Sequence, residues 1–120
     1  MVTVYGIKNC DTVKRALKTL DAAGIQYDFH DFRADGLEAT KAQQWLDRLG
    51  LDAVLNRRGT TWRGLDSATC DGVTADNAAA LLASQPSLVK RPVIEHSGGV
   101  LVGFARADEA AVLAALTGAP

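Results

Sequence analysis

The first third of the chain constrains the fold most. Val2 to Tyr5 is a short apolar run that reads as a strand. Thr12 to Ala23 follows, with Val13, Ala16, Leu17 and Leu20 spaced as the single apolar stripe of a helix. Gly24 stands where a C-terminal cap is expected. Ile25 to Phe32 then alternates at Ile25, Tyr27 and Phe29, the period of a half-buried strand. Strand, helix and strand joined by connections this short predict a βαβ unit, with two parallel strands covered by the helix.

The middle of the chain reads as helical. Ala42, Trp45, Leu46 and Leu49 repeat the helical spacing, Gly50 ends that run, and Leu51 to Leu55 predicts a further short turn of helix. Thr74 is placed as the N-cap of a helix whose inner face is Ala78, Leu81 and Leu82, with Pro86 just past its end. The last third changes character. Arg91 to Glu95 predicts a strand, Ser97-Gly98-Gly99 a tight turn, and Val100 to Phe104 the partner strand. A final helix is expected over Ala105 to Leu116, with Val112, Leu113 and Leu116 inward and Thr117 to Pro120 fraying. The order β-α-β, helical insert, β-β-α gives an α/β fold of thioredoxin-like (glutaredoxin-like) plan. It is read as one domain over residues 1–120, with the helical insert at about 36–87.

Charge and cysteine usage narrow the function. Thirteen basic against 14 acidic residues leave a net charge of -1, so nothing pulls the whole chain toward nucleic acid or an anionic membrane. No apolar run approaches the roughly 20 residues of a membrane span. Lys8, Asn9 and Asp11 interrupt the only apolar start, which argues against a signal peptide and for the cytoplasm. The two cysteines, Cys10 and Cys70, lie far apart and make no disulfide scaffold. His30 and His96 share no ligand spacing with either, so no metal site is expected.

Cys10 carries the chemistry. It lies between the first strand and the first helix, where unpaired backbone N–H groups and the helix dipole favour negative charge. Such positions lower a thiol pKa from about 8.5 to roughly 3.5–7.5, and the thiolate is the nucleophile. Lys8, Lys14 and Arg15 are expected to push the same way. Without a Cys-x-x-Cys partner the resolving thiol comes from elsewhere, and glutathione is the natural candidate in a cytosolic setting. Cys70 is expected in a surface loop, able to resolve Cys10 only if the fold brings their Cα atoms within about 7 Å. His30 is read as a half-exposed strand residue and His96 as exposed, neither as a general base.

Three segments resemble the arsenate reductase (ArsC) family, including its Spx branch of transcription regulators. They are Tyr5-Gly-Ile-Lys-Asn-Cys10-Asp-Thr-Val-Lys-Arg15, Leu55-Asn-Arg-Arg-Gly-Thr-Thr-Trp62 and Leu88-Val-Lys-Arg91-Pro92-Val-Ile94. Within the family the chain is most similar to the small ArsC-like proteins of the YffB type. The resemblance implies Cys10 as nucleophile, Arg91 as the arginine that binds an oxyanion, and Pro92 in the cis form. Beside the resemblance, Asn9, Thr12 and the polar, basic loop of Asn56, Arg57, Arg58 and Arg63 are read as candidates for binding glutathione or an anion, and the sequence does not say which of Arg57 and Arg58 faces the site.

Two further arginines of arsenate reductases fall on Asn56 and close to Phe104 in this chain, with Arg57, Arg58 and Arg106 nearby. The second cysteine of the Spx redox pair falls on Val13. The expected activity is therefore a glutathione-dependent thiol-disulfide oxidoreductase, monomeric, with no bound cofactor and glutathione as co-substrate. A true arsenate reductase is the nearest alternative. A regulator that binds the RNA polymerase α-subunit without catalysis is the alternative of another class.

Overall fold

The computed structural model describes residues 2–117. These fall into two compact units, one of residues up to Ala34 together with those from Arg91 on, the other of Asp35–Lys90.

The first unit is built on a four-stranded sheet. β1 (Val2–Gly6) leads through a turn into α1 (Asp11–Ala22), and the chain returns as β2 (Tyr27–Asp31). β1 and β2 are parallel, with Val4 opposite Phe29 and Tyr5 opposite His30, as the βαβ pattern requires. The strands β3 (Val93–His96) and β4 (Gly99–Val102) form the hairpin, His96 pairing with Gly99 across Ser97 and Gly98. β3 runs antiparallel to β1, giving the order β2-β1-β3-β4. The last helix is α8 (Glu109–Leu116).

The apolar stripe of α1 decides which face of the sheet is covered. Ala16 and Leu20 pack with Val2, Val4, Ile94, Phe104 and Val112 in one cluster, flanked by Leu17, Tyr27, Phe29, Leu113 and Leu116. Fully burying a side chain such as Leu20 contributes about 1.5–3 kcal/mol. Gly6 brings α1 close to the sheet, because a Cβ there would come within 2.8 Å of Val13 Cγ2. Gly24, at φ 72°, takes the left-handed turn that releases the chain from α1, a conformation side chains disfavour.

The second unit is helical. It contains α2 in part (Phe32–Asp35), then α3 (Ala39–Leu49), α4 (Leu51–Val54), α5 (Thr60–Arg63), α6 (Ser67–Gly72) and α7 (Ala78–Ser84), followed by a 3-10 turn at Pro86–Leu88. α3 packs on α7, and the fully buried Ala42, Trp45, Val54, Ala78, Leu82, Leu88 and Val89 form the interior. Leu55 and Val89 make an isolated antiparallel bridge.

Several boundaries differ from the sequence reading. Phe32 leaves the strand and starts α2, its ring buried. Thr74 does not cap α7. Asn77 Oδ1 accepts from the Thr74 N–H at 2.8 Å and its Nδ2 donates to the Gly72 carbonyl at 2.8 Å, closing a turn that delays the helix to Ala78. The final helix begins with a 3-10 turn at Arg106–Asp108 and becomes α-helical only from Glu109. Cys70 lies in α6, not in a loop. Thr117 still donates to the Leu113 carbonyl, while the fraying expected at 118–120 lies outside the described residues. No helix among the described residues is long and apolar enough to cross a membrane.

Candidate active site

Cys10 is the N-cap of α1, in extended conformation at φ -100° and ψ 122°. Its N–H reaches the Ile7 carbonyl at 3.4 Å, and its own carbonyl accepts the first helical hydrogen bond, from Lys14 N–H at 2.9 Å. At an N-cap the side chain lies beside the N–H groups of the first turn, where Ser, Thr or Asp would place an accepting oxygen. Here a sulfur holds that position, and no side-chain cap hydrogen bond is formed. Helix dipole and first-turn N–H groups make this a favourable seat for an anion. The thiol is half-buried, while Lys8, Asn9, Asp11 and Lys14 are exposed and Thr12 half-buried.

The sheet brings Arg91 and Pro92 to the same end. Tyr5 pairs with Val93 in the antiparallel β1–β3 ladder, so the start of β3 lies beside the end of β1, from which the chain turns toward Cys10. The Arg91–Pro92 peptide is cis, Pro92 is buried and Arg91 half-buried. The Pro92 carbonyl accepts from Gly103 N–H at 2.8 Å, which carries β4 to this end as well. Gly103, at φ 84°, then turns the chain into Phe104, which is 1% exposed. Strand geometry alone thus gathers Asn9, Cys10, Thr12, Arg91 and Pro92 at one sheet end.

Arg15 is tethered rather than free to move in solvent. Its Nη2 donates to the Phe104 carbonyl, and its guanidinium carbon lies 5.4 Å from the centre of the Phe104 ring. Nothing in the local sequence signals this pairing, because the partner is 89 residues away.

The opposite face of the sheet carries a second group that the sequence did not single out. Tyr5 donates its hydroxyl to Glu95 Oε1 at 2.7 Å, and its ring lies 5.0 Å from that of His30 and 6.4 Å from that of Phe32. Burial, helped by the hydrogen bond to Glu95 and its charge, pushes the Tyr5 phenol well above its ordinary value. His30 is the half-exposed strand residue expected, and it belongs to an aromatic cluster with Tyr5 and Phe32. His96 is also half-buried, and its Nδ1 accepts the Gly98 N–H at 3.1 Å within the hairpin turn.

In the second unit, Asn56, Arg57 and Arg58 share one loop. Asn56 N–H bonds the Leu88 carbonyl at 2.7 Å, and Asn56 Oδ1 accepts Arg58 N–H at 3.1 Å, so the asparagine shapes the turn. Arg57 is exposed, ion-paired with Asp52 at 2.7 Å and stacked 5.7 Å over the Trp62 ring. Arg58 is exposed with no such tether. Thr61 and Ser87 hydroxyls meet at 2.8 Å and hold α5 to the Pro86–Leu88 turn. Cys70 is half-buried, its Sγ 3.8 Å from the Trp62 carbonyl.

Comparison with known proteins adds the following. Residues 5–112 match the sequence profile of the ArsC family. An uncharacterised protein of Haemophilus influenzae is 46% identical over 104 residues, which cover 87% of this chain and 91% of that one. Among solved structures, the YFFB (PA3664) protein is 43% identical and superposes with a TM-score of 0.88 over 94% of this chain and 99% of its own. An arsenate reductase (ArsC) related protein from Brucella melitensis is 45% identical, with a TM-score of 0.75 over 93% of each chain.

Proposed function

We propose that this chain, which belongs to the ArsC family, is a cytoplasmic thiol-disulfide oxidoreductase with Cys10 as its single nucleophile and glutathione as its co-substrate. The observation that carries this reading is the position of Cys10: an N-cap sulfur over an uncapped first turn, at the sheet end where Arg91 and Pro92 also lie. An anion formed there is favoured by the same groups that bind phosphates and carboxylates at helix starts.

In the proposed cycle the Cys10 thiolate attacks the glutathione sulfur of a mixed disulfide. The new Cys10–glutathione bond forms as the old S–S bond breaks, and the other half leaves as a thiolate that takes a proton. A second glutathione thiolate then attacks the glutathione sulfur held on Cys10. Oxidised glutathione departs and the Cys10 thiolate is restored. The net change is that one mixed disulfide and one glutathione thiol become one free thiol and oxidised glutathione, the thiol proton passing to the leaving thiolate. No second cysteine of the chain is required.

Arg91 is assigned to a carboxylate of glutathione, since its planar fork suits that group. Asn9, Thr12 and the Pro92 backbone line the reacting sulfurs. Within the loop of Asn56, Arg57 and Arg58, Arg58 is the readier of the two arginines to meet an anion, because Asp52 and Trp62 hold Arg57. Arsenate is the weaker substrate reading. Phe104, close to where the resemblance places another oxyanion arginine, is buried, and Arg106 is exposed.

The test is incubation with oxidised glutathione followed by mass mapping of the adduct. A mixed disulfide on Cys10, reversed by reduced glutathione, supports the proposal. Absence of any Cys10 adduct, with arsenate reduction intact, would replace it by the arsenate reading.

A further inference from the structure

We infer that Arg15 is a second anion-binding guanidinium of the Cys10 site, where it receives a carboxylate of the small acidic disulfide or thiol that exchanges with Cys10. This rests on Cys10 being the nucleophile, as proposed above.

The inference starts from where the Arg15 head group is. Arg15 lies five residues after Cys10 on α1, and helical side chains lean toward the helix N-terminus. Its Nη2 is fixed to the Phe104 carbonyl. Phe104 follows Gly103, whose N–H bonds the Pro92 carbonyl, so the anchor point lies at the sheet end that also holds Arg91 and the turn to Cys10.

The second observation is what the guanidinium lacks. Of its five N–H donors, the Phe104 carbonyl takes one, and the buried Nε has no hydrogen-bond partner among the described residues. A buried charged donor left in this state is costly. The side chain is half-buried over an aromatic ring, so solvent compensates it poorly. Asp11, four residues earlier and on the same helix face, is the natural carboxylate partner. Yet Asp11 is exposed, and no carboxylate among the described residues pairs with Arg15. A clamp between α1 and the end of β4 would need one donor only. The remaining donors, with a positive charge and the start of α1 nearby, suit an incoming carboxylate.

The experiment compares second-order rates of Cys10 mixed-disulfide formation with oxidised glutathione, which carries carboxylates, and with hydroxyethyl disulfide, which is uncharged. The readout is the ratio of the two rates in the wild-type chain, Arg15→Met and Arg15→Lys. The expected result is a fall of about tenfold in this ratio for Arg15→Met, the size of one charged hydrogen bond lost. Arg15→Lys, which keeps a charge but not the fork, should fall between. Added salt should pull the wild-type ratio toward that of Arg15→Met.

A ratio indifferent to both substitutions overturns the inference and leaves Arg15 a structural clamp. Should Arg15→Met fail to fold by circular dichroism, Arg15→Lys decides alone, and an unchanged ratio there overturns it equally. If the wild-type chain forms no adduct with either disulfide, the nucleophile assignment itself fails and this inference falls with it. Adducts that ignore Arg15 sink this inference only.

Discussion

Cys10 and Cys70 belong to helix starts of different build. Cys10 is itself the N-cap of α1, and it makes no side-chain cap hydrogen bond. α6, which carries Cys70, is capped by Asp66, whose Oδ1 accepts the Thr69 N–H at 2.7 Å. Cys70 comes four residues after that cap, its sulfur set against the Trp62 carbonyl. The seat for negative charge at α6 is thus held by a carboxylate, while at α1 it falls to the thiol. Two residues of the same type stand in different settings because one replaces the cap and the other follows it.

The largest effect that could break this contrast is on adduct formation. Cys10→Ser should abolish the mixed disulfide with oxidised glutathione, and Cys70→Ser should leave the adduct at Cys10, both read by mass. The reverse pattern would dissolve the distinction between the two helix starts.

Next comes the fit of α1 on β1. Gly6→Ala puts a methyl within 2.8 Å of Val13 Cγ2, and Val13 is fully buried and stiff at χ1. The expected loss is about 1–3 kcal/mol of stability in urea titration, with slower adduct formation because the Cys10 turn shifts. Val13→Ala in the same chain should restore part of both. If it restores stability and not rate, the turn itself requires Gly6.

Tyr5→Phe tests how firmly β1 is held from its other face. Losing the hydrogen bond to Glu95 should cost about 1–2 kcal/mol. The phenol is raised in the folded chain, so its contribution is whole below the unfolded value near about 10 and is lost as pH rises beyond it. Thermal melts across that range should decline in the wild-type chain and flatten in Tyr5→Phe.

The smallest effect is at α6. Hydrogen bonding from Thr69, side chain and then backbone, holds the Asp66 carboxyl below its ordinary value. Its support for α6 is therefore present above the unfolded carboxyl value and is lost as pH falls through the folded one. The Thr69 amide signal should move over that acidic window and stop doing so in Asp66→Ala. An unmoved Cys10 adduct rate in Asp66→Ala would confirm that the two helix starts act independently.

Much of this was legible in the residues because it depends on neighbours in sequence. The stripe of Val13, Ala16 and Leu20 and the cap at Gly24 are local codes that appear where they were read, and the turn read over Ser97-Gly98-Gly99 forms one residue shorter, with Gly99 already in β4. The same holds for the placement of Cys10 at a helix start. The readings that failed were those in which a competing local bond won, as at Thr74, where Asn77 closed its own turn first. Phe32, read as the end of the second strand, falls off the alternation of Ile25, Tyr27 and Phe29, and its ring is buried from a short helix instead.

By itself the sequence determined a βαβ start, a helical middle, a β-hairpin and one cysteine poised where a helix begins, since periodicity and caps act within a few residues. Only the tertiary structure decided that β3 lies antiparallel beside β1 and carries Arg91 to the end of the sheet where Cys10 sits. It alone took Arg15 out of the surface charge and fixed it on Phe104, and joined Tyr5 to Glu95. Those outcomes depend on pairings between residues some ninety positions apart, and no local pattern encodes which distant carbonyl or carboxylate a side chain will meet.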